Sequence, residues 1–462
     1  MADALRGVGY RGAVPGEGVI EGVSVDTRAG CAHRLFVALK GATSDGHDYL
    51  ARAVLGGAAA LLVESARRAE ALAAANGLPV FDVRDTLAAL QALAAAYRER
   101  VSPRVVAVTG STGKTGTKDF ITSILSRRMK VHATPGNLNN HIGLPLTILG
   151  MEGSEEVCIT EMGANHRKEI ARLCEIARPE IGAVTNIGPV HLEHFGTLRG
   201  VAAAKAELVE ALPSSGAAIL PADDEFVDYL KERSAARSVT FGYSEGADRR
   251  ITDVSRRDGI GYRFRVGDCV IEVPRHGRHH IANAAAAAVV ASIMGVPNAD
   301  IAAGIAAART GEGRGVLFDL GGILIVDDSY NSNPLSLRAA VDAFLELPVT
   351  GRRWLILGDM LELGAQSGEL HRESGVYCGR AKVDGIFTIG TETVELSRSA
   401  ADERRSPEHI THFLDVETLA SYLGELLAPG DAVLLKGSRG MHMEKVLGAL
   451  ETARGVAKRR VD

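Results

Sequence analysis

The chain has 462 residues and a formal net charge of −5, and 46% of its residues are hydrophobic while 24% are charged. This composition is typical of a globular protein of about three domains. The acidic balance argues against a general nucleic-acid-binding protein, which usually carries a basic face. The five cysteines are scattered without a C-x-x-C pair, so neither a disulfide framework nor a zinc site is expected.

No apolar run is long enough to cross a bilayer, and the first 18 residues contain no apolar segment of the kind found in signal peptides. The scattered cysteines also fit a reducing compartment. A cytoplasmic protein is therefore expected, without a membrane or a nucleic acid as partner.

The chain begins with short apolar runs that alternate with alanine-rich helical segments up to about residue 100. This rhythm predicts a small α/β domain over residues 1–101. Its last element is predicted as a helix over residues 85–100, because the helical period starts there behind an acidic residue. The sequence VSPR at 101–104 ends that helix and predicts a boundary.

Strand and helix patterns alternate between residues 102 and 310, as expected for a central domain with a mostly parallel sheet. Residues 250–275 differ, because their alternation of polar and apolar side chains predicts antiparallel strands. A third α/β segment covers residues 311–462. The predicted fold class is therefore α/β with three domains.

A glycine-rich loop follows the first strand of the central segment, in the sequence VVAVTGSTGKTGTKD. The common phosphate-binding loop G-x-x-x-x-G-K-[ST] would need a glycine where Val108 stands, so the motif is the shorter G-x-x-G-K-T. Glycines let backbone N–H groups approach phosphate oxygens, and the N-terminus of the next helix favours an anion. ATP or GTP binding is predicted for Gly110, Ser111, Thr112, Gly113, Lys114 and Thr115, with Lys114 on the β- and γ-phosphates and the Thr115 hydroxyl on Mg²⁺.

Two potential metal ligands follow neighbouring strands of the same segment. Glu161 ends the apolar run VCIT, and His191 comes shortly after IGAVTNIG. Because the carboxyl ends of parallel strands meet in one crevice, both are expected beside the phosphate loop, where they indicate Mg²⁺ or Mn²⁺. Lys205 lies in an alanine-rich helix and, taken alone, is predicted to be a solvent-exposed helix lysine.

Taken together, these motifs resemble the Mur ligase family of amide-bond-forming enzymes over nearly the whole chain. The shared features are the shortened loop, Glu161, the N-I-x-x-x-H-L-x-x-F-G segment at 186–196, and Lys205 with Glu207 in an A-K-x-E context. Within the family, the segments TPGNLNNHIGLPLT, EMGAN, VDDSYNSNP, LGDMLELG and LLKGSR look most like the branch that joins D-alanyl-D-alanine to UDP-N-acetylmuramoyl-tripeptide.

The resemblance implies the organisation of the chain. A small N-terminal α/β domain (1–101) would bind the UDP substrate, and a central domain of the phosphate-loop type (102–310) would bind ATP. A C-terminal Rossmann-like domain (311–462) would bind the incoming amine, and the substrates would be small molecules. Apart from the resemblance, we expect a monomer.

It also implies the residues of the site. Thr115 and Glu161 would hold one Mg²⁺ ion, and His191 would hold a second together with Lys205 in carbamoylated form. Lys114, Lys205, His191 and Glu161 would thus form the catalytic set. The residues implied at the nucleotide beyond the loop are Asn283, Arg314, Asp328, Tyr330, Asn331 and Asn333. Those implied at the UDP substrate are Asp26, Thr27, Arg28, Lys40, Asn139 and Asn140.

Three places depart from the pattern of this branch. Ala32-His33-Arg34 stands where Pro-Gly-Asp is usual, Lys168 stands where glycine is common, and His280 stands where asparagine is usual. These departures motivate an alternative, a related ATP-dependent amide ligase for another carboxylate and amine.

A second alternative is a catalytically idle nucleotide-binding protein, which the intact Lys114, Glu161, His191 and Lys205 argue against. The attacking amine must lose a proton, so a general base is needed. The sequence does not identify it, and it leaves His194 and His279 as candidates.

Overall fold

The computed structural model describes residues 2–7, 20–257, 260–309, 311–403 and 407–461. The strands form three sheets that follow one another along the chain, and helices pack around them. The fold class is α/β, as predicted. We refer to each sheet with its helices as the first, second and third units. The predicted domain ends at residues 1, 310 and 462 lie outside the described residues, and the boundaries at 101/102 and 310/311 stay predictions.

The first unit contains four parallel strands in the order β1-β2-β3-β4. Their apolar residues are buried against the surrounding helices, which accounts for the short apolar runs of the sequence. The strands are β1 (Val23–Ser24), β2 (Leu35–Val37), β3 (Ala60–Glu64) and β4 (Val80–Val83). The helices are α1 (Ala2–Gly7), α2 (Leu50–Leu55), α3 (Arg68–Ala74) and α4 (Thr86–Val101), with 3₁₀ turns at Gly46–Tyr49 and Ser65–Arg67.

Helix α4 confirms the helix predicted over residues 85–100. It begins at Thr86 because the carboxylate of Asp85 accepts a hydrogen bond from the backbone N–H of Ala88, over 2.9 Å, and so caps the first turn. It ends at Val101, where Ser102 adopts left-handed backbone angles with φ 52°. The chain then enters the second unit directly.

The second unit is built on a nine-stranded sheet in the order β13-β12-β11-β10-β9-β8-β5-β7-β6. Strands β5 to β11 pair in parallel, whereas β11, β12 and β13 pair antiparallel, which confirms the prediction for residues 250–275. The strands are β5 (Arg104–Thr109), β6 (Val131–Ala133), β7 (Val157–Glu161), β8 (Ile181–Val184), β9 (Ala217–Pro221), β10 (Arg237–Gly242), β11 (Arg249–Arg256), β12 (Tyr262–Val266) and β13 (Cys269–Val273).

Helices cover this sheet and bury its apolar residues. The alanine-rich helix α11 packs against α5 along its length because its small side chains allow close approach, and nearly all of them are buried. The helices are α5 (Lys114–Leu125), α6 (Gly143–Leu149), α7 (Glu169–Ala177), α8 (Leu192–Phe195), α9 (Leu198–Glu210), α10 (Val227–Lys231), α11 (His279–Ile293) and α12 (Asn298–Ala307).

The third unit is a seven-stranded sheet in the order β18-β17-β16-β19-β15-β14-β20, parallel from β18 to β15. The strands are β14 (Val316–Leu320), β15 (Ile323–Asp328), β16 (Arg353–Gly358), β17 (Gly385–Ile389), β18 (His409–Phe413), β19 (Ala432–Lys436) and β20 (Arg459–Arg460). The helices are α13 (Pro334–Leu345), α14 (Ser367–Arg380), α15 (Thr393–Ala401), α16 (Val416–Leu426) and α17 (Glu444–Arg454), with 3₁₀ turns at Gly364–Gln366 and Arg439–Met441.

The strand order of the second unit decides where its polar side chains meet. Strand β5 lies between β7 and β8, so the loop that follows β5 is flanked by the ends of both neighbours. Ligand sites of parallel α/β sheets form at these carboxyl ends. In the part of the chain that the structure describes, no helix is long and apolar enough to span a membrane.

Candidate active site

The loop between β5 and α5 has the backbone of a phosphate cradle. Gly110 has φ +141° and Gly113 has φ +78°, angles that side-chain-bearing residues rarely adopt. Space also requires glycine at both positions. A Cβ atom at Gly110 would overlap the hydroxyl of Thr185, and one at Gly113 would overlap the side-chain amide of Asn283. The shortened loop is therefore fixed by its neighbours as well as by its own turn.

Asn186, just beyond the end of β8, holds this loop in shape. Its backbone carbonyl accepts from the N–H of Ser111 over 3.0 Å, and its side-chain oxygen accepts from the N–H of Thr112 over 3.0 Å. The Ser111 hydroxyl in turn donates to the carbonyl of Gly188 over 3.0 Å. No separate role was predicted for Asn186, although a polar residue at a strand end beside a phosphate loop is a usable signal.

Lys114, the first residue of α5, folds back over the loop. Its ammonium group donates to the carbonyl of Gly110 over 2.7 Å and to that of Ser111 over 3.3 Å. Burial lowers the pKa of Lys114, and the nearby cation of Arg314 lowers it further, while Glu161 opposes both effects. The ammonium group of Lys114 therefore lies beside the turn where phosphate oxygens are predicted to bind.

Thr115 and Glu161 form a direct contact at the base of the loop. The Thr115 hydroxyl donates to one oxygen of Glu161 over 2.7 Å, and the amide of Asn139 donates to the other over 2.7 Å. Both Thr115 and Glu161 are buried. A hydroxyl and a carboxylate held side by side next to a phosphate cradle fit Mg²⁺, which takes one or two protein oxygens and completes its shell with phosphate and water.

His191 and Lys205 approach the same crevice from the loop after β8 and from α9. The ring of Phe195 neighbours both, with its centroid 6.3 Å from the imidazole of His191 and 5.8 Å from Nζ of Lys205. Lys205 is only 1% exposed, so the prediction of a solvent-exposed helix lysine, made from this residue alone, is wrong. Burial lowers the pKa of Lys205 to about 7, and the charge of Lys114 acts in the same direction.

The third unit brings further predicted residues to the cleft. The guanidinium of Arg314 stacks on the ring of Tyr330 at 3.8 Å from its centroid. Asp328, at the end of β15, accepts a hydrogen bond over 2.7 Å from Lys436, which also donates to the carbonyl of Asn331 over 2.9 Å. Lys436 is 2% exposed and had no predicted role. In the sequence, its position at the end of the apolar run AVLL could have indicated a place at this site.

Comparisons with known proteins cover most of this chain. Family models match three consecutive parts of the chain: the Mur ligase family catalytic domain over residues 19–98, the Mur ligase middle domain over 108–291, and the Mur ligase glutamate ligase domain over 313–439. This chain belongs to the Mur ligase family.

Individual Mur ligases match it over almost their full length. UDP-N-acetylmuramoyl-tripeptide--D-alanyl-D-alanine ligase of Escherichia coli is 38% identical over 94% of each chain, and the enzyme of the same name from Bacillus subtilis is 35% identical over 93% of each. Among solved structures, MurF from Acinetobacter baumannii has a TM-score of 0.81 with 30% identity over 93% of each chain. MurF from Thermotoga maritima in complex with ADP also has a TM-score of 0.81, with 29% identity over 96% of this chain and 99% of that one.

Two residues predicted at the UDP substrate of this Mur ligase have structural partners in the second unit. Asn139 contacts Glu161, as described above, so the structure places it at the predicted metal site. The side chain of Asn140 accepts from the backbone N–H groups of Ile142 and Gly143 and thereby caps the start of α6.

The remaining substrate candidates lie in the loops after β1 and β2. The side chain of Arg28 donates to both oxygens of Asp26 at 2.7–3.1 Å, and this hydrogen bonding lowers the pKa of Asp26 to about 2. Thr27 is half-buried between them, whereas Lys40 is exposed and bridges to Asp45 through its backbone. Arg28 and Lys40 thus offer exposed cations on the first unit.

Three of the departures from the branch pattern have a structural explanation or location. His33 and Lys168, which stand where glycine is usual in the pattern of this branch, both adopt left-handed backbone angles, with φ 59° and 69°. His280 is buried near the edge of the Phe120 ring, and burial holds its pKa well below the usual value.

The two general-base candidates differ in their surroundings. His194 is exposed and its ring lies 4.3 Å from that of His166. His279 is the first residue of α11, is exposed as well, and its ring lies 4.2 Å from that of His280.

Proposed function

We propose that this Mur ligase joins D-alanyl-D-alanine to UDP-N-acetylmuramoyl-tripeptide at the expense of ATP. One observation carries the proposal: the buried Thr115–Glu161 pair lies at the base of a glycine-rich phosphate cradle. The name and the high coverage of the E. coli and B. subtilis relatives supply the identity of the substrates. The MurF neighbour solved with ADP supports the choice of adenine nucleotide.

Different residues of the chain would bind different parts of ATP. The backbone N–H groups of the loop and the ammonium group of Lys114 would bind the phosphates, as Asn283 closes the loop from α11. Arg314 and Tyr330 would form one wall of the nucleotide cleft, and Asp328 with Asn331 and Asn333 would line it from the third unit.

The residues present fit two Mg²⁺ ions. Thr115 and Glu161 would hold one, and His191 with a carbamoylated Lys205 would hold the other. With a pKa near 7, Lys205 has a substantial share of uncharged amine at neutral pH. An uncharged amine can add to CO₂ and lose a proton, which turns a buried cation into a carboxylate-like ligand. When bound, such ions would neutralise charge on the transferring phosphoryl group.

The reaction then follows from ordinary acyl chemistry. A carboxylate oxygen of the tripeptide attacks the γ-phosphorus of ATP, the bond to the ADP oxygen breaks, and an acyl phosphate forms. The amine of D-alanyl-D-alanine attacks the acyl carbon and loses a proton, and the tetrahedral intermediate expels inorganic phosphate. Lys114 stabilises the charge that develops on the transferring group.

The organisation of the chain is part of the same proposal. The first unit (1–101) would bind the UDP moiety through Asp26, Thr27, Arg28 and Lys40. The second (102–310) would bind ATP, and the third (311–462) would bind the dipeptide. We further propose that the protein is a cytoplasmic monomer.

The deciding experiment measures phosphate release from ATP with UDP-N-acetylmuramoyl-tripeptide, in the presence and absence of D-alanyl-D-alanine. We expect release that depends on both substrates and a product heavier by the dipeptide. Binding of ATP without release in either mixture would refute the proposed reaction. Phosphate release with the tripeptide and another amine, but not with D-alanyl-D-alanine, would show that the other amine is the substrate.

A further inference from the structure

Residues 361–366 (LELGAQ), which follow β16 in the third unit, lie against the loop of the second unit that carries His191. We call them the docking segment. The backbone N–H of Glu193 donates to the carbonyl of Glu362 over 3.3 Å, and the side-chain amide of Gln366 donates to the carbonyl of Gly196 over 3.4 Å. Gly364 leaves no room for a side chain, because a Cβ atom there would lie 2.7 Å from Cα of Glu193.

Within this contact, the carboxylate of Glu362 meets the imidazole of His191. One oxygen of Glu362 forms a hydrogen bond with Nδ1 of His191. A carboxylate can only accept, so the proton of this bond belongs to Nδ1.

The position of that proton determines what the other ring nitrogen can do. In a neutral imidazole, a proton on Nδ1 leaves the lone pair on Nε2 free. Metal-bound histidines almost always donate their second N–H to a carboxylate or carbonyl, which sets the tautomer and the orientation of the ring. His191 is the predicted ligand of the second ion, and Glu362 is such a carboxylate.

We propose that Glu362 of the third unit is a positioning residue for the second metal ion, which acts by holding His191 as the Nδ1–H tautomer with Nε2 directed to the ion. The inference rests on the proposed function, because that function requires the second ion. It adds a residue 171 positions away in sequence, in a loop of a different unit. The metal site is then complete only when the third unit is docked.

The contact also admits an opposite interpretation, in which Glu362 occupies the place of the ion and must leave before the ion binds. The two interpretations predict opposite effects of removing the carboxylate. If Glu362 positions His191, its loss weakens binding of the second ion. If it competes with the ion, its loss strengthens binding.

The experiment uses the full-length protein with Mn²⁺ as a paramagnetic probe and a non-hydrolysable ATP analogue. Mn²⁺ affinities are measured for the wild type, Glu362→Ala, Glu362→Gln and Gln366→Ala. We expect Glu362→Ala to weaken the second site about 10- to 100-fold, the usual effect of losing such a partner, and to leave the first site unchanged. Glu362→Gln retains an acceptor oxygen and should recover part of the affinity.

Gln366→Ala is the matched control, because Gln366 belongs to the docking segment but touches Gly196 instead of the imidazole. Its second-site affinity should stay within about twofold of the wild type. Nitrogen-15 NMR of the histidines in the metal-free protein supplies a readout that does not depend on nucleotide. The His191 signals should report Nδ1–H in the wild type and shift toward the Nε2–H form in Glu362→Ala.

The outcomes separate this inference from the function on which it rests. If the wild type binds both ions and Glu362→Ala binds the second Mn²⁺ ion as tightly or more tightly, the positioning role is refuted. The proposed function is not affected by that result. A wild-type protein that binds the ATP analogue with no second Mn²⁺ ion overturns the two-ion form of the proposed function. Circular dichroism of each variant verifies folding, and Glu362 is 43% exposed, so its replacement leaves no buried gap.

Discussion

At the scale of single residues, the two left-handed positions at His33 and Lys168 show where this chain carries local strain. A non-glycine residue in this conformation brings Cβ close to the following carbonyl oxygen, at a cost of about 1–2 kcal/mol. At Lys168 the strained turn starts α7, and its backbone N–H donates to Glu207 over 2.6 Å. The fold therefore retains the turn that a glycine would form more easily.

Replacing Lys168 by glycine should stabilise the protein. The relief of left-handed strain exceeds the entropy that glycine costs on folding, so the free energy of unfolding should rise by about 0.5–1 kcal/mol. Urea-induced unfolding measures the change. Lys168→Ala is the control, because alanine removes the same charge but keeps Cβ and the strain. Equal gains in both variants would assign the effect to the lost charge and contradict the backbone explanation.

Lys205 shows why a residue's surroundings could not be predicted from its own segment. Its helix has an ordinary alanine-rich pattern, in which a lysine is normally solvated. Its surroundings include the ring of Phe195 and the charge of Lys114, which lie on other elements. Only the resemblance to a family singled it out, whereas the loop glycines and Lys114 were predictable from local spacing.

At the scale of elements, the start of α13 shows that a predicted site residue, Asn333, also has a structural role. Asn333 was predicted to line the nucleotide cleft. Its side-chain oxygen accepts from the backbone N–H of Ser336 over 2.9 Å, while the Ser336 hydroxyl accepts from the N–H of Asn333 over 3.0 Å. This reciprocal capping box, with Pro334 as the first helical residue, fixes the beginning of the helix.

Asn333→Ala should lower the free energy of unfolding by about 1 kcal/mol through loss of this cap, whereas Asn333→Ser should lose much less because serine also caps helices. Chemical denaturation checks stability, and equilibrium binding of ATP checks the predicted contact. A purely capping role leaves nucleotide affinity unchanged in the serine variant. Weaker ATP binding by both variants without loss of stability would show instead that Asn333 is a nucleotide ligand.

Elements with a strong local signal were predictable, and their pairing over long distances was less so. The helix over residues 85–100, the antiparallel strands within 250–275 and the loop at 110–115 all carry their own periodicity or turn residues. The approach of Asn283 to Gly113 has no such signal, because it depends on the packing of α11 against α5. The capping roles of Asn140 and Asn333 were likewise hidden behind a plausible binding role.

At the scale of the whole molecule, the third unit comes close to the phosphate loop. Gly188 has neighbours from both. A Cβ atom built on Gly188 would be 3.0 Å from the side chain of Leu335, at the start of α13, and 3.7 Å from the Cβ of Ser111. Arg314 is near enough to Lys114 to affect its pKa. Nucleotide bound to the loop would therefore contact, or nearly contact, parts of the chain more than 200 residues apart.

Binding of ATP with Mg²⁺ should raise the free energy of unfolding by about 2.7 kcal/mol when the nucleotide is at 100 times its dissociation constant. The melting temperature should rise accordingly. Lys114→Ala should abolish this stabilisation and turnover while the protein stays folded without nucleotide. Differential scanning fluorimetry and phosphate release measure both effects. Lys231→Ala, which removes an exposed lysine of α10, should behave as the wild type. Normal turnover in Lys114→Ala would contradict the proposed reaction.

The placement of the units against one another was beyond prediction from the sequence. The His191–Glu362 pair joins two segments whose motifs were each recognisable, yet neither carries a pattern that points to the other. A surface contact between loops has no periodicity, and its partners are set by the packing of complete sheets. The family resemblance implied three domains and left their mutual orientation open.

The crowding around the two loop glycines has a consequence for chemical intervention. Thr185 and Asn283 fill the space that any side chain at Gly110 or Gly113 would need, and the backbone angles there suit glycine alone. A compound that binds to this loop would leave the protein little freedom to lose affinity for it by substitution at either position. Substitutions that weaken its binding would have to arise farther from the loop, for example where Arg314 stacks on Tyr330.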